Sequence, residues 1–186
     1  MPPRANLEIK ARLRDPADAV RRVLELEPVP HSVERQVDVY FTVSRGRLKL
    51  RRRWTAAVPR VGAVPDREQP CELIAYGRPD TAGARRSDYL LLPLPPETRV
   101  EDVLELAAGL DARVEKVRTV FLHDNVRIHL DEVQGLGSFL ELEAVLDETC
   151  GEAQAKEKIE RLRRHLGIRD GDLVAGSYRE LAAAPG

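Results

Sequence analysis

The chain has 186 residues, a third of them charged, yet 30 Lys and Arg against 31 Asp and Glu leave a formal net charge of -1. That length suits a single domain over 1–186 with a sizeable core, and near-neutrality excludes the global basic field of a nucleic-acid binder. Two cysteines without zinc or disulfide spacing, and no long apolar run, exclude a disulfide scaffold and a membrane-spanning helix and point to a cytoplasmic protein.

Leu7 to Leu13 alternates apolar and charged residues, which predicts a strand with Glu8, Lys10 and Arg12 on one face. Asp15-Pro16 opens a helix that stops before Pro28. Residues 33–44 and 47–55 predict a hairpin turning at Ser44-Arg45-Gly46. The stretch 56–70, with three prolines and one glycine, reads as an extended surface loop. Strands follow at 71–78 and 86–93, then a helix near 97–109 with Val100, Val103, Leu104 and Leu106 on one side. Strands at 112–123, 125–134 and 138–147 complete the sheet. The amphipathic helix 151–167 presents Ile159, Leu162 and Leu166 on one stripe, and a short helix near 170–175 and a tail through Ser177-Tyr178 follow.

About eight strands with three longer helices interspersed predict a mainly antiparallel α+β fold. The apolar strand faces give the helices something to cover. The charged faces must then look either into water, as antiparallel sheets often do, or into the lumen of a closed barrel.

Those faces sort into two sets. Lys10, Arg12, Lys49, Arg51, Arg53, Arg78, Lys116, Arg118 and Arg127 are cations suited to phosphate oxygens, Arg as a two-pronged fork and Lys as a point charge. Glu8, Glu72, Asp131, Glu141 and Glu143 are hard oxygen donors of the kind Mg²⁺ or Mn²⁺ takes beside substrate phosphates and water. Glu141 and Glu143 stand two apart on a strand, so both point to one face, roughly 6 to 7 Å apart. The plainer alternative makes them salt-bridge partners of nearby arginines. His129 shares a face with Arg127 and Asp131, although a lone histidine is more often structural; Arg52-Arg53 reads as solvated charge. Tyr76 and Tyr178 can reach a site, Tyr40 is expected to pack, and no general base is identified.

Taken in order, Asn6-Leu7-Glu8-Ile9-Lys10, Gly46-Arg47-Leu48-Lys49-Leu50-Arg51, Glu72-Leu73-Ile74 with Tyr76 and Arg78, Lys116 with Arg118, Leu130-Asp131-Glu132-Val133 and Gly137 to Glu143 resemble the CYTH family across nearly the whole chain. These are the triphosphate tunnel metalloenzymes, which include class IV adenylate cyclases and thiamine triphosphatases. The resemblance implies an eight-stranded antiparallel closed β-barrel or tunnel with helices packed on the outside. It places Lys10, Lys49, Arg51, Arg78, Lys116 and Arg118 on a triphosphate, and Arg12 and Arg127 on the same faces join them. It places Glu8, Asp131, Glu141 and Glu143 on Mg²⁺ or Mn²⁺, with Glu8, Lys10 and Lys116 as the expected catalytic residues. One residue departs from the family's E-x-E-x-K opening: its first Glu is Asn6 here, a neutral oxygen in place of a charge.

The implied reaction is in-line displacement at phosphorus. Attack by the 3′-hydroxyl of ATP would give cyclic AMP and pyrophosphate; attack by water on ATP, thiamine triphosphate or inorganic triphosphate would make the protein a triphosphatase. A polyphosphate- or nucleotide-binding module without catalysis, and an interaction protein using an open charged sheet face, are the rival classes. The expected partner is a small-molecule triphosphate, with neither nucleic acid nor membrane, and a homodimer is compatible with the sequence.

Overall fold

The computed structural model describes residues 4–77 and 83–183. Eight strands, β1 (Arg4–Arg12), β2 (Val29–Phe41), β3 (Arg47–Thr55), β4 (Arg67–Gly77), β5 (Arg85–Leu94), β6 (Leu110–His123), β7 (Val126–Val133) and β8 (Gly137–Leu146), close into a barrel. The order is β1-β5-β4-β3-β2-β6-β7-β8, and every neighbouring pair is antiparallel. Four α-helices join them: α1 (Pro16–Leu24), α2 (Val100–Ala108), α3 (Glu152–His165) and α4 (Tyr178–Ala183). Among the described residues no helix is long and apolar enough to cross a membrane.

Period-two alternation decides which way each side chain goes. Leu7 and Ile9 of β1, Ile128 of β7 and Leu140 and Leu142 of β8 face outward into a shared core with Val23 of α1 and Ile159 and Leu162 of α3. Burying each such side chain is worth about 1.5–3 kcal/mol, and truncating Ile159, fully buried, to Ala would cost about 2–5 kcal/mol. With the apolar faces outward, the charged faces have only the lumen left. Charge also stands on the outside of other strands, in the exposed pairs Arg35–Glu115 of β2 and β6 and Arg86–Asp88 of β5.

Local signals place the connections. The Asp15 carboxylate accepts the Asp18 N–H at 3.0 Å and Pro16 opens α1, as the Asp-Pro pair predicts. Gly46 turns the β2–β3 hairpin at φ +66°, and a Cβ there would lie 2.9 Å from the Tyr76 carbonyl oxygen, so the turn needs glycine.

Three expectations are corrected. β4 starts at Arg67 inside the expected 56–70 loop: the β3–β4 register slips between Arg51 and Arg53, and this bulge accommodates Pro70, which has no N–H to give a regular ladder. Of the apolar residues of α2, Leu104 and Ala108 join the cluster of Val37, Val39, Phe41, Leu50 and Cys71, while Val103 and Leu106 are exposed. The segment read as a tail through Tyr178 instead begins α4 and carries Tyr178 into a buried position.

Candidate active site

One end of the barrel is filled. Tyr178 packs there with Tyr40, Val114, Val133 and Phe139, its ring edge-on to Phe139 at 5.0 Å between centroids. From that end each strand leads outward through its lumen-facing residues: Lys10, Glu8, Asn6 on β1; Lys49, Arg51, Arg53 on β3; Lys116, Arg118, Val120 on β6; Asp131, His129, Arg127 on β7. Exposure rises in the same direction, from 3% for the Lys116 side chain to 26% for Arg53 and 40% for Arg127, which identifies the open mouth.

The cavity behind this mouth has a volume of about 370 Å³. Glu8, Lys10, Lys49, Arg51, Lys116, Arg118, Arg127, Glu141 and Glu143 all line it, drawn from five strands that meet only when the sheet closes. Asp131 lies behind Lys116 and Arg118, paired with both. Arg12 stands apart despite its parity: Nη1 donates to the Leu136 carbonyl at 2.8 Å and the guanidinium covers the Phe139 ring beyond the filled end. Arg78 lies outside the described residues.

Three carboxylates hold the deep cations. Asp131 accepts from Arg118 Nε at 2.6 Å, Lys116 Nζ at 3.1 Å and the Tyr178 hydroxyl at 2.7 Å. Glu141 takes Lys10 Nζ at 2.8 Å and Arg118 Nη2 at 2.5 Å. Asp38 takes Lys49 Nζ at 2.7 Å and Arg51 Nε at 2.7 Å. Burial alone would raise Asp38 and Glu141; Arg51 and Lys49 hold the first, and Lys10 and Arg118 the second, well below the ordinary carboxylate range.

The ammonium groups move the other way. Burial pushes Lys49 down to about 8, with Arg51 adding to it, and Lys116 down to about 7, with Arg118 adding to it, even though each touches a carboxylate. Desolvation outweighs a partner whose charge is shared with an arginine. Lys10, likewise paired, is lowered by burial against the pull of Glu141. Such a cluster is costly to bury, and an anion of several charges entering it would restore the lysine charges.

The chemistry of the donors decides how a divalent ion fits. Among the described residues no group of three or more His, Cys, Asp or Glu is placed to hold a metal ion alone. Glu8 and Glu143 are direct partners across β1 and β8 and both face the cavity, each beside an arginine, Arg85 at 3.4 Å from Glu8 and Arg127 at 3.2 Å from Glu143. Asn6 Nδ2 donates to Glu143, which leaves Asn6 Oδ1 buried without a hydrogen-bond partner beside the pair. One or two carboxylates completed by substrate phosphates is the usual manner of Mg²⁺, so the residues fit an ion that shares its coordination with the substrate. His129 lies between Glu141 and Glu143 at 3.5 and 3.7 Å, its pKa lowered by burial and by Arg118.

Several cavity residues went unread in the sequence. Asp38 and Gln36 share the parity of Glu34 and Tyr40 on β2, a signal that was present but interrupted by fewer charges. Of the Arg52-Arg53 pair read as solvated charge, Arg53 lines the cavity as its place in the cationic set implies, whereas Arg52 points outward to Glu101 and the Pro96 carbonyl. Tyr40, expected to pack, both packs and lines the lumen. Arg85, one residue before the expected strand, is buried 3.4 Å from Glu8 and donates to the Val174 and Gly176 carbonyls, which ties the chain before α4 to the barrel.

A family model for the CYTH domain matches residues 4–178. The PH1012 protein from Pyrococcus horikoshii shares the fold at TM-score 0.75 and 24% identity, covering 95% of this chain and 98% of that one. A Hippeastrum structure described as "Putative adenylyl cyclase HpAC1", with a dominant triphosphatase activity, shares it at TM-score 0.59 and 18% identity, covering 96% and 94%. In sequence, "Putative adenylate cyclase MJ0240" of Methanocaldococcus jannaschii is 28% identical over 68 residues, a match spanning 37% of this chain and 39% of that relative.

Proposed function

The chain belongs to the CYTH domain family, and from that premise we propose that it is a metal-dependent enzyme that binds a triphosphate inside the barrel and, on ATP, forms cyclic AMP and pyrophosphate. The observation that carries the reading is the convergence of Lys10, Lys49, Arg51, Lys116 and Arg118 on one cavity inside the barrel that also holds paired carboxylates. Five cations at fixed positions match a chain of phosphoryl groups far better than a single anion.

Arg51 and Arg118 present guanidinium forks to the phosphate oxygens, and Lys10, Lys49 and Lys116 add point charges around them. Asp38, Asp131 and Glu141 keep those cations aimed before the substrate arrives, so little reorganisation remains at the moment of reaction. Glu8 and Glu143 would hold the divalent ion, with Glu141 next to them along β8. A bound Mg²⁺ or Mn²⁺ supplies Lewis-acid polarisation of the phosphoryl oxygens. In the cyclisation the 3′-oxygen bonds to the α-phosphorus, the bond to the bridging oxygen of pyrophosphate breaks, and the hydroxyl proton leaves to solvent. Lys10 and Lys116 would stabilise the charge that gathers on the leaving oxygens.

Hydrolysis by the same apparatus is the second reading, favoured by the dominant triphosphatase activity named for the Hippeastrum protein. Incubation with ATP, thiamine triphosphate and inorganic triphosphate, with Mg²⁺ or Mn²⁺ in turn, separates the two by resolving cyclic nucleotide from orthophosphate. Lys116→Ala should lower kcat/KM on the active substrate by about 100-fold or more, the scale of losing one preorganised charge donor. Turnover unchanged in that variant, or no product from any of the three, refutes the catalytic reading.

A further inference from the structure

A single row of charge crosses four neighbouring strands. Arg85 of β5 is the direct partner of Glu8 on β1, Glu8 of Glu143 on β8, and Glu143 of Arg127 on β7, so two carboxylates stand in the middle with an arginine at each end. Arg85 Nε lies 3.4 Å from Glu8 Oε1, and Arg127 Nη1 donates to Glu143 Oε1 at 3.2 Å. The two arginines differ in how firmly they are held. Arg85 is buried, and its outer nitrogens donate to the Val174 and Gly176 carbonyls at 3.2 and 3.3 Å. Arg127 stands at the mouth with its side chain 40% exposed, where an ion pair is weak and exchanges partners at little cost.

This row is electrically balanced as it stands. Below it Lys10, Lys49, Arg51, Lys116 and Arg118 outnumber Asp38, Asp131 and Glu141, so a divalent ion entering alone meets two carboxylates already answered and an excess of positive charge behind them. A phosphoryl chain alters both conditions. It brings the missing negative charge, and its oxygens accept a guanidinium fork as well as a carboxylate does. Asn6 Nδ2 donates to the same Glu143 oxygen as Arg127, from a buried position that a departing Arg127 leaves untouched. A glutamate at position 6 could not donate that bond.

We propose that Arg127 is a positioning residue that keeps Glu143 closed to divalent ions until a phosphoryl chain draws the guanidinium away, so that the triphosphate itself completes the site for the ion. Arg85 is the fixed arm of the row and holds Glu8 in place. Arg127 is the movable arm. Asn6 keeps Glu143 aimed once the arginine has left. By linkage, the ion and the triphosphate then each tighten the other. This inference rests on the metal-dependent triphosphate reading above and adds to it the residue that sets the order of assembly.

Electron paramagnetic resonance of free Mn²⁺, titrated with the full chain in the absence of any phosphate, tests this without turnover. Arg127→Gln should tighten Mn²⁺ by about tenfold, the scale of removing one hydrogen bond between charged groups. The same variant should weaken inorganic triphosphate, titrated calorimetrically in EDTA. A misfolded chain loses both ligands, so opposite changes in one variant mark an exchange of partners. Arg53→Gln removes an equal charge from the same cavity but frees Glu34 and Glu72 instead of Glu143, and should leave Mn²⁺ binding as in the wild type. Mn²⁺ affinity unmoved by Arg127→Gln, or raised equally by Arg53→Gln, overturns the inference while triphosphate binding by the wild-type chain still stands. No binding of inorganic triphosphate to the wild-type chain defeats the triphosphate reading as well.

Discussion

Arg118 closes a two-pronged pair on Asp131, Nε to Oδ1 at 2.6 Å and Nη2 to Oδ2 at 2.5 Å, where Asp131 is 1% exposed. Lys116 and the Tyr178 hydroxyl share the same carboxylate. Removing that one anion would take from Lys116 its paired carboxylate and leave Arg118 with Glu141 alone. Asp131→Ala should therefore destabilise the barrel by about 3–5 kcal/mol in urea unfolding. A loss below about 1 kcal/mol would mean that the arginine and lysine find water instead.

The same cluster makes ligand binding depend on pH. With Lys116 at about 7 and Lys49 at about 8, part of the cavity charge is missing in the free protein at pH 8. A bound polyanion raises both values, so binding at pH 8 takes up protons, and affinity falls as pH rises from 7 to 9. The sign for folding is the reverse: the unfolded lysines hold their protons up to about 10.4, so these two groups add stability as pH climbs from 7–8 toward that value. Titrating inorganic triphosphate at pH 8 in two buffers of different ionisation enthalpy reads the uptake directly. Heats that are identical in both buffers would contradict it.

Tyr178 joins the filled end of the barrel to its chemistry. Its hydroxyl donates to Asp131, and Lys10 Nζ lies 3.3 Å from its ring centroid. Tyr178→Phe keeps the ring and removes one hydrogen bond to a charged group, a loss of about 1.5–3 kcal/mol. Tyr178→Ala also empties the packing against Phe139 and Tyr40 and should cost about 3–5 kcal/mol. Equal losses in the two variants would show that the hydroxyl alone matters.

Much of this was legible because strand parity is a strong constraint. Glu8 and Lys10, Lys49 and Arg51, Lys116 and Arg118, and Glu141 and Glu143 each alternate with apolar residues, and closing the sheet sends all of them to one side. Parity does not give depth. Arg12 has the right parity but lies beyond Lys10, opposite Phe139, where the filled end leaves it only the rim. Parity is also silent about a chain that enters the lumen from its end, which is why Tyr178 had to be seen in place. In α2 the apolar residues Val103 and Leu106 suggested a packed stripe, yet Leu104 and Ala108 are the ones that join the apolar cluster beneath the helix. Pro70 read as loop because the bulge that accommodates it depends on the neighbouring strand.

A crystal structure of the protein grown with inorganic triphosphate and Mn²⁺ shows whether the lumen cations grip a triphosphate. The phosphoryl chain should lie inside the barrel within hydrogen-bonding distance of Lys10, Arg51, Lys116 and Arg118, with the ion between it and Glu8 or Glu143. Triphosphate density on the outer surface, with these side chains still paired only to Asp38, Asp131 and Glu141, would contradict it.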